Sequence, residues 1–155
     1  MLSAASCMSK RYFRASSRIK QGLLLLHALP EIGVAEVPGL GALEGHPKLG
    51  ASWESFAIEQ VLLRVGTRKA YYWRTQAGAE LDLLLFLGGR RIGIEVKYGD
   101  APAMTRSMAS ALADLRLDRL FVVCAGTVRF PLGKKVEALP LHDCLRELAK
   151  VAGGR

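Results

Sequence analysis

The chain has 155 residues, a length that suits one domain with a sizeable core and excludes a second full catalytic domain. Half of its residues are apolar and 23% are charged, so the composition excludes a disordered chain. Lys and Arg outnumber Asp and Glu by 22 to 14, giving a formal charge of +8. This positive field favours polyanionic partners, nucleic acid first and an anionic membrane second.

The cysteines and the apolar runs indicate where the protein works. The three cysteines are widely spaced and form no CxxC pair, so we expect neither a disulfide framework nor a zinc site, which fits a reducing, cytoplasmic location. The most apolar run, at residues 23–29, is about seven residues long, whereas a membrane span needs roughly twenty. The basic start of the chain lacks a clear cleavage signature, so we predict no targeting peptide and no membrane partner.

The chain divides into an arm and a domain. Residues 1–41 are predicted to form a basic arm and an irregular linker, because Pro and Gly are dense from residue 30 onward. The domain is placed at 42–155. Within it, apolar residues recur at three- and four-residue steps from Leu49 to Val65, which predicts an amphipathic helix that ends at Gly66.

Strands and further helices follow in a recognisable order. Three strands are predicted, at 70–75, 79–87 and 91–98, and Gly88-Gly89 is typical of a two-residue hairpin turn between the last two. The remaining predicted elements are a helix at 102–117, a strand at 119–125, a hairpin at 127–139 and a helix at 141–151. This order predicts an α/β fold with a central mixed sheet flanked by helices.

Two of these strands carry charges where buried strands should have none. Asp82 lies in a nearly continuous apolar run, and a buried carboxylate is costly without a partner or a metal. In the next strand, the two-residue period places Glu95 and Lys97 on one face. Pairing outward from the hairpin turn puts Asp82 opposite Glu95. Two carboxylates beside a lysine suit a hard divalent cation, Mg²⁺ or Mn²⁺, with the lysine placed to position or deprotonate water or to hold a phosphate oxygen.

The spacing of Asp, about a dozen residues and then Glu-x-Lys across a hairpin resembles the PD-(D/E)XK nuclease superfamily. The predicted order of helix, three strands, helix and strand is also the order of that restriction-endonuclease-like core. The segment GASWE at 50–54 is similar to the Gly-x-x-aromatic-Glu opening of archaeal Holliday-junction resolvases in the same superfamily. The resemblance implies metal-dependent hydrolysis of nucleic-acid phosphodiesters, with DNA as the expected substrate.

Longer phrases resemble the C-terminal domain of unknown function that follows AAA-type ATPase modules in bacteria and archaea. They are HPKLGASWE at 46–54, YWRT at 72–75, GAELD at 78–82 and EVK at 95–97, and the resemblance covers residues 42–148. It implies a nuclease-like fold and an ATPase or another protein as partner; a homodimer is compatible with it. Because no GxxxxGK[ST] motif occurs in this chain, we expect no ATP hydrolysis by this polypeptide alone.

The superfamily resemblance implies a role for each matching residue. Asp82 and Glu95 would be metal ligands, the Val96 carbonyl a third, and Lys97 the residue that orients the attacking water. Glu54 would bind the metal directly or through water. This chain has Leu before Asp82 where the superfamily's name has Pro, a variation that the superfamily tolerates.

Other readings of these residues stay open. The charged group could be a structural ion-pair network, and Glu54 a solvated acid at the start of a helix. Glu80, Arg74 and Gln76 are candidates for supporting the site or contacting nucleic acid, whereas Glu80 could equally form a salt bridge at the rim. The alternative function is a catalytically silent DNA-binding or protein-interaction module with the same fold.

Overall fold

The computed structural model describes residues 11–14, 47–68 and 70–153. Most of the predicted arm and linker therefore lies outside the described residues. The described elements, in chain order, are β1 (Arg11–Arg14), α1 (Pro47–Val65), β2 (Ala70–Arg74), β3 (Glu80–Leu87), β4 (Arg90–Lys97), α2 (Arg106–Asp114), β5 (Arg119–Cys124), β6 (Phe130–Gly133), β7 (Val136–Pro140) and α3 (Leu141–Gly153).

The described strands form one seven-stranded mixed sheet in the order β1-β2-β3-β4-β5-β7-β6. The pairs β1–β2, β2–β3 and β3–β4 are antiparallel. Strand β5 runs parallel to both β4 and β7, and β6 is antiparallel to β7. The α/β class and the element order predicted from the sequence are confirmed, and the arrangement is consistent with a restriction-endonuclease-like core. Strand β1 was not predicted; residues 11–14, assigned to the arm, pair with β2 as an edge strand.

Helices cover both faces of the sheet because alternate residues of the central strands are apolar on both sides. On one face, Leu83, Leu85 and Ile94 belong to the same buried cluster as Val61 of α1 and Leu148 of α3. This cluster is the larger of the two, and it fixes α1 and α3 on the same side of the sheet.

The opposite face of the sheet packs against α2. Leu84, Leu120 and Val122 form a second buried cluster with Met108 and Ala111 of that helix. The domain therefore has three layers, with the sheet in the middle. Among the described residues, no helix has the length and hydropathy needed to cross a lipid bilayer.

Helix α2 is shorter than the sequence predicted, at both ends. Its first turn begins at Arg106 and not at residue 102, because the Thr105 side chain accepts a hydrogen bond from the backbone N–H of Met108 and caps the helix. Met104, which falls inside the predicted helix, lies before its observed start and is exposed. At the other end Arg116 adopts a φ of +50°, which terminates the helical turn before β5.

The turn between β3 and β4 has the conformation that the sequence predicts. Gly88 and Gly89 have φ values of +54° and +75°, as expected for a two-residue hairpin turn. A Cβ added at Gly88 would lie 2.5 Å from the carbonyl oxygen of Val151 in α3, whereas one added at Gly89 would meet no atom within 4 Å. Gly88 therefore serves both the turn and the docking of α3.

Gly88→Ala is expected to reduce the free energy of unfolding by about 2 kcal/mol more than Gly89→Ala does. Each alanine must adopt a left-handed backbone conformation, which costs about 1–2 kcal/mol in both variants. Only at position 88 must the last turn of α3 also move. Urea unfolding of the two variants measures the difference, and equal losses would show that α3 is not docked on this hairpin.

Strand β3 contains a bulge that the sequence did not reveal. Tyr71 pairs with Leu84, but Trp73 pairs with Leu81, so β3 has one residue more than β2 between these two pairs. As a result Leu81 and Leu84, three residues apart, belong to the same cluster beneath α2. The extra residue falls at Asp82 and Leu83, and bulges of this kind are common beside functional sites.

Candidate functional site

The candidate site lies at the end of the sheet where β4 finishes and β3 begins. The register of these two strands pairs Leu83 with Ile94 and Leu87 with Arg90, as predicted from the turn. The predicted pair of Asp82 and Glu95 lies one position beyond the pair of Leu83 and Ile94. The start of α1 reaches the same end, since a Cβ at Gly50 would lie 4.0 Å from the Cβ of Tyr98 just after β4. Glu54 follows one helical turn later.

Asp82 is a buried carboxylate held by the backbone of β4. Asp82 is 9% exposed, and its Oδ2 accepts a hydrogen bond of 2.9 Å from the backbone N–H of Val96. This contact lies just beyond the paired residues Leu83 and Ile94. This hydrogen bond holds the Asp82 carboxylate against the end of β4, next to Glu95.

Glu95 is buried as well, at 7% exposure, and its Oε1 lies 2.7 Å from Nζ of Lys97. Burial raises the pKa of Glu95 above its ordinary value, and the negative charge of Asp82 raises it further. The Lys97 ammonium and a hydrogen bond from the backbone of Asp82 oppose this shift without cancelling it. The two carboxylates are therefore close enough to repel each other in a poorly solvated place.

Lys97 is the cation of the site. Burial by itself would lower the pKa of Lys97, but the hydrogen bond and charge of Glu95, followed by the charges of Asp82 and Glu54, raise it above the ordinary value. A lysine of this kind is protonated at neutral pH, so it is suited to donate a hydrogen bond and not to remove a proton. Because the negative charge of Glu54 contributes to raising the pKa of Lys97, Glu54 interacts electrostatically with this site.

Glu80 and Arg74 form a rim pair at the edge of the site. The Arg74 Nε lies 3.3 Å from Oε1 of Glu80, and their side chains are 59% and 39% exposed. Tyr72 donates a hydrogen bond of 2.8 Å from its hydroxyl to Oε2 of Glu80. Sequence reasoning missed Tyr72, although the two-residue period already places it on the same strand face as Arg74.

Gln76 lies in the exposed turn that connects β2 and β3. This turn is fixed by Thr75, which is buried and whose hydroxyl accepts a 3.0 Å hydrogen bond from the backbone N–H of Ala79. Gly78 completes the turn with a φ of +85°. Gln76 therefore lies on a well-defined turn at the end of the sheet where the candidate site is.

The donor atoms fit a cation site built on two carboxylates. Among the described residues, no group of three Asp, Glu, His or Cys side chains is arranged to hold a metal ion. An all-protein cage is thus not what these residues offer. Mg²⁺ and Mn²⁺ are commonly held by one or two carboxylates, with water and phosphate oxygens as the other ligands. Asp82 and Glu95, which repel each other, match that smaller requirement.

The fold and site define a class of protein, an α/β domain with a mixed sheet and a buried carboxylate pair at one end of a hairpin. Residues 49–144 match the sequence profile of a family described as a domain of unknown function, DUF4143, and the chain belongs to that family. The match includes Glu54, Asp82, Glu95 and Lys97.

Two curated relatives come from mycobacteria. The chain is 51% identical over 104 residues to the uncharacterized protein Mb2031c of Mycobacterium bovis and, equally, to the uncharacterized protein Rv2008c of Mycobacterium tuberculosis. The aligned residues make up 67% of this chain and 24% of each relative. The chain thus spans about a quarter of the length of these relatives.

Proposed function

We propose that this protein is a PD-(D/E)XK-type domain that holds Mg²⁺ or Mn²⁺ at Asp82 and Glu95 and acts on the phosphodiesters of nucleic acid, DNA above all. The observation that carries the proposal is a pair of buried carboxylates on adjacent antiparallel strands, with the Lys97 ammonium 2.7 Å from one of them. Charge, position and residue type agree with the motif in the sequence.

The balance of charge supports a metal ion over a purely structural network. Asp82 and Glu95 are buried close to each other and to Lys97, and the charge of Glu54 also acts on that lysine. Burial and, after it, the negative charge of Asp82 raise the pKa of Glu95 even though the Lys97 ammonium lies beside it. Placing two buried carboxylates close together is costly, and a purely structural network gains nothing from that proximity. A divalent cation would remove that cost.

The residues of the site can divide the work of hydrolysis. A bound divalent ion would supply Lewis-acid stabilisation of negative charge on the phosphate. Asp82 and Glu95 are held by backbone and side-chain hydrogen bonds, so they would present oxygen ligands without reorganisation, and the Val96 carbonyl and Glu54 are the further candidate ligands. Lys97, protonated and 39% exposed, would donate to a phosphate oxygen or orient the water for in-line attack.

Asp82→Asn is expected to weaken Mn²⁺ binding by at least about tenfold, measured by isothermal titration calorimetry on the full chain. Asparagine keeps the shape and can still accept the hydrogen bond from Val96, so the lost property is the charge. Asp118→Asn is a matched control, because the Asp118 carboxylate also accepts a backbone N–H of β4, from Arg91 at 2.8 Å. Equal Mn²⁺ heats in the wild type and Asp82→Asn would remove the metal-site proposal.

A catalytically silent binding module with the same fold is the second candidate. It is favoured by one observation, the lack of a three-ligand group among the residues that the structure describes. Cleavage assays with single-stranded, duplex and branched DNA in the presence of Mn²⁺ separate the two candidates, because the silent module would bind and not cut. An ATPase partner, expected from the family resemblance, is compatible with either candidate.

A further inference from the structure

The end of the sheet opposite the candidate site carries a concentrated positive surface. Strands β4 and β5 both begin there, and the β6–β7 turn and the end of α3 lie at the same end. We define the basic end surface by its six exposed cations: Arg90, Arg116, Arg119, Lys134, Lys135 and Lys150. Lys97 is seven positions after Arg90 along β4, a distance of about 23 Å. This surface is therefore distinct from the carboxylate pair.

Five of these six cations line two adjoining cavities. One cavity, of about 270 Å³, is lined by Arg90, Arg119 and Lys150. A second, of about 170 Å³, is lined by Lys134 and Lys135 and shares Arg119 with the first. Arg119 thus lines both cavities, which follow the starts of β4, β5 and β7; Glu137 also lines the second cavity, and it is paired with Arg129.

The acids at this end are already engaged. The Asp118 carboxylate accepts the backbone N–H of Arg91. Glu147, which also lines the larger cavity, is paired with both Arg129 and Lys150, and these two contacts lower its pKa. Within the described part of the chain, Arg90, Arg119 and Lys134 form no ion pair. Their charges therefore remain available to an external anion.

We infer that the basic end surface binds the phosphate backbone of a nucleic acid. Neighbouring strands of a sheet are about 4.8 Å apart, so the cations on successive strand ends form a row on a rigid base. A nucleic-acid strand carries one charge per about 3.4 Å of helix axis, and a row of fixed cations can neutralise several of them. Arg90 and Arg119 carry planar guanidinium groups, which match phosphate oxygens.

This inference goes beyond the proposed function and does not depend on it. The chemistry at Asp82 and Glu95 requires a metal ion, whereas binding at the basic end surface requires only electrostatic contact. In a protein that has both, the second surface would hold nucleic acid about 23 Å from the scissile bond, a separation set by the length of β4.

The test measures binding by fluorescence anisotropy of labelled oligonucleotides, single-stranded and duplex, of about 20 nucleotides per strand. Every titration contains EDTA, so no metal site contributes. The Arg90→Gln/Arg119→Gln variant is expected to bind about tenfold more weakly near physiological salt, and the slope of log K against log salt should fall by about 2 units. Both residues are exposed, and circular dichroism confirms that the variant is folded.

Arg106→Gln/Arg146→Gln is the matched control, because it removes the same two charges from exposed positions outside the basic end surface. It is expected to lose much less affinity. An equal loss in both double variants would attribute binding to net charge and overturn the assignment, as would unchanged affinity in Arg90→Gln/Arg119→Gln. Preference for poly-glutamate over DNA would overturn nucleic acid as the ligand and point to an acidic protein.

The two proposals can fail separately. Arg90→Gln/Arg119→Gln is expected to bind Mn²⁺ as the wild type does, because Arg90 lies about 23 Å along β4 from Lys97. Loss of Mn²⁺ binding in that variant would contradict two separate surfaces. Conversely, a wild type that binds DNA through Arg90 and Arg119 but binds no Mn²⁺ would remove the proposed metal chemistry and leave the basic end surface in place.

Discussion

Glu95→Gln is expected to reduce Mn²⁺-dependent cleavage of DNA by about a hundredfold or more, since a lost metal ligand costs several kcal/mol of transition-state stabilisation. Glutamine has the size of the glutamate it replaces, and a neutral amide is easier to bury, so the fold should tolerate the change. The variant loses the negative charge of the proposed ligand, and Lys97 loses its charged partner at 2.7 Å. The rate of cleavage, with single-stranded, duplex and branched substrates, is the measurement.

Glu59→Gln is the control for this experiment. Glu59 lies on α1 five residues after Glu54, about 140° around the helix, so it cannot readily face the same cation. It is expected to cleave at the wild-type rate. Full activity in Glu95→Gln would place any cleavage at another site or in a contaminant, and a wild type that cuts none of the substrates would favour the silent binding module.

Leu84→Ala is expected to lower the free energy of unfolding by about 3 kcal/mol. Leu84 is 1% exposed on β3, and its truncation would leave a cavity in the buried cluster that also contains Trp73 and Met108. A loss of this size is a large part of the total of about 5–15 kcal/mol that a domain has. Urea unfolding followed by circular dichroism measures it.

The control is Leu63→Ala, which removes the same atoms from a side chain that is 73% exposed on α1. Its effect should stay within about 0.5 kcal/mol, because alanine is a good helix former and little apolar area is uncovered. If both variants lowered the free energy of unfolding equally, the result would contradict the packing of α2 against Leu84 and its neighbours.

Local sequence signals located most of the elements. The Gly88-Gly89 turn, the apolar alternation of Ile92 and Ile94, and the helix end at Gly66 depend on backbone preferences and short periods, which act within a few residues. The start of α2 was misplaced because a proline such as Pro102 suits the first turn of a helix, whereas Thr105 is the residue that caps this one. Strand β1 was missed since its pairing with β2 joins segments that are distant in the chain.

The candidate site shows the same division. The buried Asp82 and the Glu95-x-Lys97 face followed from the two-residue period and the turn. Three features did not follow from the sequence: the bulge at Asp82 and Leu83, the hydrogen bond from Tyr72 to Glu80, and the effect of Glu54 on the pKa of Lys97. They depend on how the strands are placed relative to one another and on the packing of α1, which is distant in the chain.

The opening charge of +8 indicated a polyanionic partner but not where it would bind. The sequence by itself determined the carboxylate pair, the lysine beside it and the α/β order, since each follows from residue type and short-range spacing. Only the tertiary structure decided that Arg90, Arg119 and Lys134 meet at the far end of the sheet. Parallel pairing of β4, β5 and β7 brings their first residues side by side, and no local pattern reports that alignment.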